Sequence, residues 1–364
     1  MSVPGPIAPG AGRSLTAAGA LVEVDGVSHH FRGQDRPALD SVSLRVTDGE
    51  IVAVVGESGC GKSTLGRICC GIIEPTHGTV HYRGKAVSSM SRREVRQFRR
   101  GVQMVHQDPF ASLNPSLTLR TTLGYAASYH RIVKRRELND FLMDLLRRVD
   151  LDASAEFLDR FPHQLSGGQR QRVAVARALS LNPKLIVADE AVSMLDVSMR
   201  VSVLDLLLGL QQDTGMAYIF ISHDLGVVRY FASDGRIVVM FYGVIVEEGA
   251  TEDVITRPGH PYTCSLLQSL PVPDPRRARY RRQNQKAAQF TPSEVSGPAA
   301  GTGCVFRPRC PLAQDQCTQA PPMTDLGGNH AAACWFPDKV AQLATSILGA
   351  GDVTVTPPQP LVER

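Results

Sequence analysis

The 364-residue chain lacks an apolar run long enough to cross a membrane. Its best candidates, Ile51 to Val55, Leu204 to Leu210 and Ile237 to Val246, are short or interrupted by Gly243, against the roughly 20 apolar residues of a spanning helix. Any membrane role would come through partners. An excess of one charge is also missing: 39 basic against 35 acidic residues leave +4, too balanced to suggest a polyanion binder. Residues 1–20 are small and rich in Pro and Gly, without the basic start and apolar stretch of a secretion signal, so the chain is expected to stay in the cytosol. There is no internal repeat of solenoid length. Nor does the sequence hold a C-x2-C pair, the spacing that zinc knuckles favour.

What is present is an ordinary globular composition, 43% hydrophobic and 20% charged, in a chain long enough for about two domains. Between Leu21 and Gly249, strand-like runs (Ile51 to Val55, Leu185 to Ala188, Tyr218 to Ile221) alternate with helix-period stretches such as Phe141, Leu142, Leu145, Leu146 and Val149. That alternation predicts an α/β domain around a largely parallel sheet. Period-two patterns at Leu21 to Val24 and Ser41 to Val46 suggest an antiparallel side sheet. The texture changes after Pro258. Residues 258–302 read as a linker or wrap, 303–348 as a small cysteine-bearing module, and 1–20 and 349–364 as loose tails.

The strand IVAVV runs into Gly56-Glu57-Ser58-Gly59-Cys60-Gly61-Lys62-Ser63-Thr64, which matches G-x-x-x-x-G-K-[ST] in its strand, loop, helix context. Glycines let successive N–H groups turn toward phosphate oxygens, Lys62 supplies a point charge for the β and γ phosphates, and the Ser63 hydroxyl suits Mg²⁺. The Cys60 side chain is incidental, because such a loop binds through its backbone. A second apolar strand, Leu185 to Ala188, ends in Asp189-Glu190. A carboxylate at a strand tip beside a phosphate loop can hold Mg²⁺ and its neighbour can polarise water, which assigns Asp189 to the metal and Glu190 to general base catalysis. Further on, Leu165-Ser166-Gly167-Gly168-Gln169 opens a helical run, and a helix start attracts an anion.

With these residues in place, the sequence from about Leu21 to Gly249 resembles the nucleotide-binding subunit of an ATP-binding cassette (ABC) transporter. The resemblance implies an ABC-type P-loop core over 21–257 with an antiparallel β subdomain and a helical subdomain at about 108–180. It makes LSGGQ the signature motif, closing on ATP held by the phosphate loop of a partner in a head-to-tail dimer. Gln107, in VHQDPF, matches the glutamine of the loop that contacts the membrane subunits and joins Ser63 and Asp189 around Mg²⁺. His223, in FISHD, matches the switch histidine at the γ-phosphate. Phe31 fits the aromatic that stacks on adenine, and Asp196 the loop that crosses the dimer interface. Glu190, His223 and Gln107 form the implied catalytic set. Two departures stand out: Ala191-Val192-Ser193-Met194-Leu195-Asp196 replaces the usual Pro-Thr-Ser-Ala-Leu-Asp, and His106 stands where an aromatic is common.

The stretch Arg257-Pro258-Gly259-His260-Pro261-Tyr262-Thr263, with the cysteine-rich end, is similar to the oligopeptide/dipeptide importer branch. This implies uptake of peptides, with nickel complexes or oligosaccharides as the alternatives within the branch. It also implies two membrane permease subunits, a second and different ATPase chain, an external solute-binding protein, and a peripheral location at the cytoplasmic face. A soluble nucleic-acid or ribosome ATPase is disfavoured, since neither an inserted coiled coil nor a second cassette is present. A non-hydrolysing regulatory subunit has only Ala191-Val192 in its support. The arginines at 276, 277, 279, 281 and 282 read as a solvated linker face.

Cys304, Cys310, Cys317 and Cys334 read as C-x5-C-x6-C-x16-C. In a reducing compartment such a group favours a metal site over disulfides. The wide spacing and the resemblance together favour a 4Fe-4S cluster, with zinc or reduced structural thiols as alternatives. Cys69, Cys70 and Cys264 are expected as buried thiols.

Overall fold

Two sheets organise the residues that the computed structural model describes, 19–34, 36–108, 112–270 and 303–348. Strands β1 (Ala20–His29) and β2 (Leu39–Thr47) pair antiparallel, after which β3 (Ile51–Val55) enters the larger sheet and leads through a loop into helix α1 (Lys62–Cys69). The chain returns to the first sheet with β4 (His77–Tyr82) and β5 (Lys85–Ala86), completing the order β2-β1-β4-β5. Helix α2 (Arg92–Gly101) starts with a Ser91–Glu94 capping box and runs into β6 (Val102–Val105).

A run of helices follows: α3 (Leu119–Tyr129), α4 (Leu138–Arg147), α5 (Ala155–Leu158) and α6 (Gly167–Leu179). The apolar stripe expected around Leu142, Leu145, Leu146 and Val149 is buried among them. Strand β7 (Leu185–Asp189), helix α7 (Val197–Thr214), β8 (Ala217–Ser222), α8 (Leu225–Phe231) and β9 (Arg236–Phe241) complete the parallel part, in spatial order β9-β3-β8-β7-β6. The central strands are apolar throughout because both faces are covered. Val52, Val54, Val187, Ile219 and Ile221 point to the side sheet and α1; Ala53, Val55, Ile186, Ala188 and Phe220 point to the helical layer.

Beyond β9 the larger sheet turns antiparallel. Strand β10 (Val244–Ala250) folds back on β9, and after α9 (Thr251–Thr256) and α10 (Pro261–Gln268) the chain contributes β11 (Thr324–Gly327), β12 (His330–Ala332) and α11 (Pro337–Leu348). β12 pairs with β10, so the C-terminal residues extend the cassette's own sheet instead of standing apart from it. The expected linker at 258–302 likewise begins with α10, whose Tyr262, Thr263, Cys264 and Leu267 are buried; residues 271–302, including the arginine run, lie outside the described residues. The expected tails fall outside them too, except for Gly19 and Ala20.

Glu247 fastens this junction. Its fully buried carboxylate accepts from the main-chain N–H groups of Gly259 (2.7 Å) and His260 (2.9 Å) and from the Thr263 hydroxyl, with His330 Nε2 at 2.8 Å. Among the described residues no helix is long and apolar enough to cross a membrane.

Candidate functional site

The phosphate loop lies at the C-terminal end of β3, which runs between β9 and β8 in the parallel region, the usual place for a ligand in an open α/β sheet. Two of its glycines are required by space. A Cβ on Gly56 (φ 154°) would sit 2.2 Å from the Met240 carbonyl oxygen, and one on Gly61 (φ 106°) 2.4 Å from that of Ala38. Lys62 is buried, and its ammonium donates to the carbonyls of Gly56 (2.8 Å) and Glu57 (2.7 Å), across the mouth of the loop. Cys60 is a buried thiol whose pKa burial pushes up, in keeping with a packing role.

Ser63, in the first turn of α1, donates from Oγ to Asp189 Oδ1 at 2.8 Å, joining the loop to the tip of β7. Burial pushes the Asp189 carboxyl up, while the Ser63 hydrogen bond and Arg67 oppose the shift. Two adjacent hard oxygens suit Mg²⁺, which keeps most of its waters and is completed by substrate phosphates.

Glu190 follows with φ 47°, a left-handed conformation uncommon for a non-glycine residue, its N–H bonded to the Ile221 carbonyl at 3.0 Å. Its carboxylate receives a hydrogen bond from Gln107 Nε2 (2.9 Å), and His223 Nδ1 lies 3.3 Å from the other oxygen. The structure thus gathers Gln107, Glu190 and His223 from the ends of three neighbouring strands, beside the Ser63–Asp189 pair. A mostly buried carboxylate held this way is placed to orient and deprotonate a water molecule.

The Ala191-Val192 departure leaves the local path ordered. Both residues are buried, and Ser193 closes a turn by donating its N–H and hydroxyl to the Glu190 carbonyl. His106 is half-buried, and burial followed by Arg177 holds its pKa below the usual imidazole value.

Ser166 and Gln169 form a reciprocal capping box at the start of α6: Gln169 N–H donates to Ser166 Oγ (3.2 Å), and Ser166 N–H donates to Gln169 Oε1 (3.0 Å). The first turn through Gly167 and Gly168 therefore presents backbone, with the Gln169 side chain engaged in the cap. Asp196 caps α7 through Met199 N–H (2.9 Å), a bond that with Ser198 holds its carboxyl below the usual range. Phe31 is partly exposed and meets His29 edge-on, ring centroids 4.6 Å apart.

Two residues that touch the phosphate loop were not among the expected site residues: Arg309 stood in no quoted motif, and Tyr262 only in the 257–263 stretch that marks the importer branch. Tyr262 Oη accepts from the Glu57 N–H at 2.7 Å, and the Arg309 guanidinium grips the Glu57 carboxylate with two bonds of 2.8 and 2.9 Å. They lie 205 and 252 residues from Glu57 along the chain, beyond any local pattern.

All eight cysteines are free thiols, and Cys69, Cys70 and Cys264 are buried as expected. Cys304, Cys310, Cys317 and Cys334 line one cavity with His260, Trp335 and Phe336. Burial pushes Cys310 up to about 12 and Cys334 to about 11. Among the described residues no three or more His, Cys, Asp or Glu side chains are grouped to hold a metal ion, so the expected metal site is not formed as such. What the fold does is bring the four thiols to one cavity.

The ABC transporter family model matches residues 39–193, and the model for the oligopeptide/dipeptide transporter C-terminal region matches 246–317. The chain is 44% identical to the probable peptide ABC transporter ATP-binding protein y4tS of Sinorhizobium fredii, covering 86% of this chain and 87% of that protein. It is 43% identical to the oligopeptide transport ATP-binding protein AppF of Bacillus subtilis, covering 82% and 89% of the two chains. Among solved structures, cbiO1 of Clostridium perfringens, part of the ABC transporter complex cbiONQ, superposes with a TM-score of 0.58 at 26% identity, over 65% of this chain and 90% of that one. A dimeric post-hydrolysis structure of the cassette MJ0796 with ADP and Pi gives 0.56 at 28%, over 63% and 98%. The chain belongs to the ATP-binding subunits of ABC transporters, within their oligopeptide/dipeptide branch.

Proposed function

We propose that this chain hydrolyses ATP to drive uptake of di- and oligopeptides through two membrane permease subunits, working at the cytoplasmic face with a second, different ATPase chain and an external solute-binding protein. The observation that carries the hydrolytic part is the convergence of Gln107 and His223 on Glu190, next to Ser63 and Asp189. The names of the relatives support peptides over nickel complexes or oligosaccharides.

In this reading the loop Gly56–Thr64 wraps the phosphates with its N–H groups, and Lys62 exchanges its carbonyl partners for the β and γ phosphate oxygens. Phe31 stacks on the adenine. Ser63, Asp189 and Gln107 would hold Mg²⁺, which supplies charge neutralisation at the phosphates when bound. Glu190 orients the attacking water and takes its proton, while His223 donates to the γ-phosphate. Ser166, Gly167 and Gly168 at the start of α6 present N–H groups and the positive helix end to the γ-phosphate of the facing subunit. Asp196 lies at that interface, and Gln107 links the site to the permease-facing helices.

The four cysteines would hold a 4Fe-4S cluster, which would supply a rigid cross-link. What supports this reading is that the four thiols line one cavity.

The test is co-purification with hydrophobic permease subunits, followed by uptake of labelled peptides into vesicles. ATP-dependent peptide uptake supports the reading. Recovery with ribosomes or DNA instead, or uptake of another solute class alone, refutes it.

A further inference from the structure

We propose that Arg309 is a positioning residue of the ATP site, through which the C-terminal segment sets how tightly the phosphate loop holds nucleotide. Glu57 is the second residue of that loop. Its carboxylate faces both Arg309 nitrogens in a fork arrangement, at 2.9 Å (Nη1 to Oε2) and 2.8 Å (Nη2 to Oε1). The guanidinium is nearly buried over the faces of Phe241 and Phe306, 5.4 and 5.5 Å from their centroids, so its position is fixed from behind.

On the main-chain side, the Glu57 N–H is bonded to Tyr262 Oη, and Tyr262 itself packs on Phe241 and Phe306. Glu57 is thereby held at its backbone and its side chain by two residues, Tyr262 and Arg309, that both pack on Phe241 and Phe306. Its carbonyl, in turn, is one of the two acceptors of the Lys62 ammonium. A shift of Glu57 moves the oxygen that holds the phosphate-binding lysine and reorients the N–H groups that follow it. Arg309 is adjacent in sequence to Cys310, which lines the cysteine cavity, so order in that cavity reaches the loop by the same short route.

Arg309 touches no nucleotide in this scheme and acts through Glu57, on the footing that the loop binds ATP as set out under the proposed function. The full chain is titrated with Mg·ATP, and steady-state hydrolysis is measured in the assembled transporter. Arg309→Gln is expected to raise the ATP Kd and KM about tenfold with kcat within about twofold, because the loop is loosened while the hydrolytic residues stay in place. In a Glu57→Gln background the same substitution adds no further effect, as it must if it works through that carboxylate. Arg309→Lys, which keeps a charge but loses the fork, falls between.

A folded Arg309→Gln with unchanged Kd, or equal weakening in the Glu57→Gln background, overturns the proposal. Should Arg309→Gln fail to fold, wild-type affinity in Arg309→Lys overturns it. Failure of the unaltered chain to bind Mg·ATP would instead overturn the ATP-site reading itself, and the proposal with it.

Discussion

Replacing Glu247 with Ala strips the junction between the cassette and its C-terminal segment of one carboxylate and four partners. The main-chain N–H groups of Gly259 and His260, the Thr263 hydroxyl and the His330 imidazole all converge on it, in a site with no solvent access at Glu247. A buried polar group left without a partner costs about 1–3 kcal/mol. Four such groups would sum to about 4–12 kcal/mol, comparable to a typical domain's margin of about 5–15 kcal/mol. The space vacated by the side chain admits water and local relaxation, which brings the net loss to about 3–5 kcal/mol, as for other broken buried ionic contacts. At about 2–4 °C per kcal/mol the melting temperature should fall by roughly 6–20 °C. Thermal unfolding followed by circular dichroism reads this directly. Glu247→Gln, which keeps the shape and one acceptor oxygen, should lose less. A melting temperature for Glu247→Ala within about 2 °C of wild type would show that the carboxylate does not hold the two parts together.

Lys62→Ala should abolish measurable Mg·ATP binding in a titration while leaving the fold intact, since Lys62 supplies the phosphate-binding charge and its partners are loop carbonyls that water can satisfy. Gly61→Ala places a Cβ 2.4 Å from the Ala38 carbonyl at a φ of 106° and should lower both the melting temperature and ATP affinity, the latter by about tenfold or more. His106 has its pKa below 6.5 in the folded state, so the unfolded chain binds the proton first and this residue's contribution falls as pH drops below 6.5. His106→Phe should therefore lessen the loss of stability between neutral and mildly acidic pH in denaturant melts. An undiminished loss would remove His106 from that role.

The sequence carried the parts of this fold that have local causes. The strand that feeds the phosphate loop, the paired carboxylates at the tip of β7 and the period-two segments of the side sheet all show in short windows, because each depends on neighbours a few residues away. Glu190 showed at the strand tip, whereas Gln107 and His223, and their convergence on it, were legible only through the family resemblance, since nothing in the surroundings of those two distinguishes them. What stayed hidden was long-range. Nothing near Thr324 or His330 announces that they extend the central sheet, because short edge strands with mixed polarity have no strong periodicity. The texture change at Pro258 suggested a boundary, yet α10 is buried: its Pro261 start was visible, whereas its burial depends on Phe241 and Phe306 far away in the chain. The Arg309–Glu57 fork is of the same kind.

The most direct test of the central claim compares ATP binding and ATP turnover for the unaltered chain and Glu190→Gln. With the carboxylate replaced by an amide that keeps the space but cannot take the proton, nucleotide affinity should be retained while turnover falls by about 10²-fold or more. Turnover at the wild-type rate in a protein that still binds ATP would contradict the assignment of Glu190 and, with it, the hydrolytic mechanism built on Gln107 and His223.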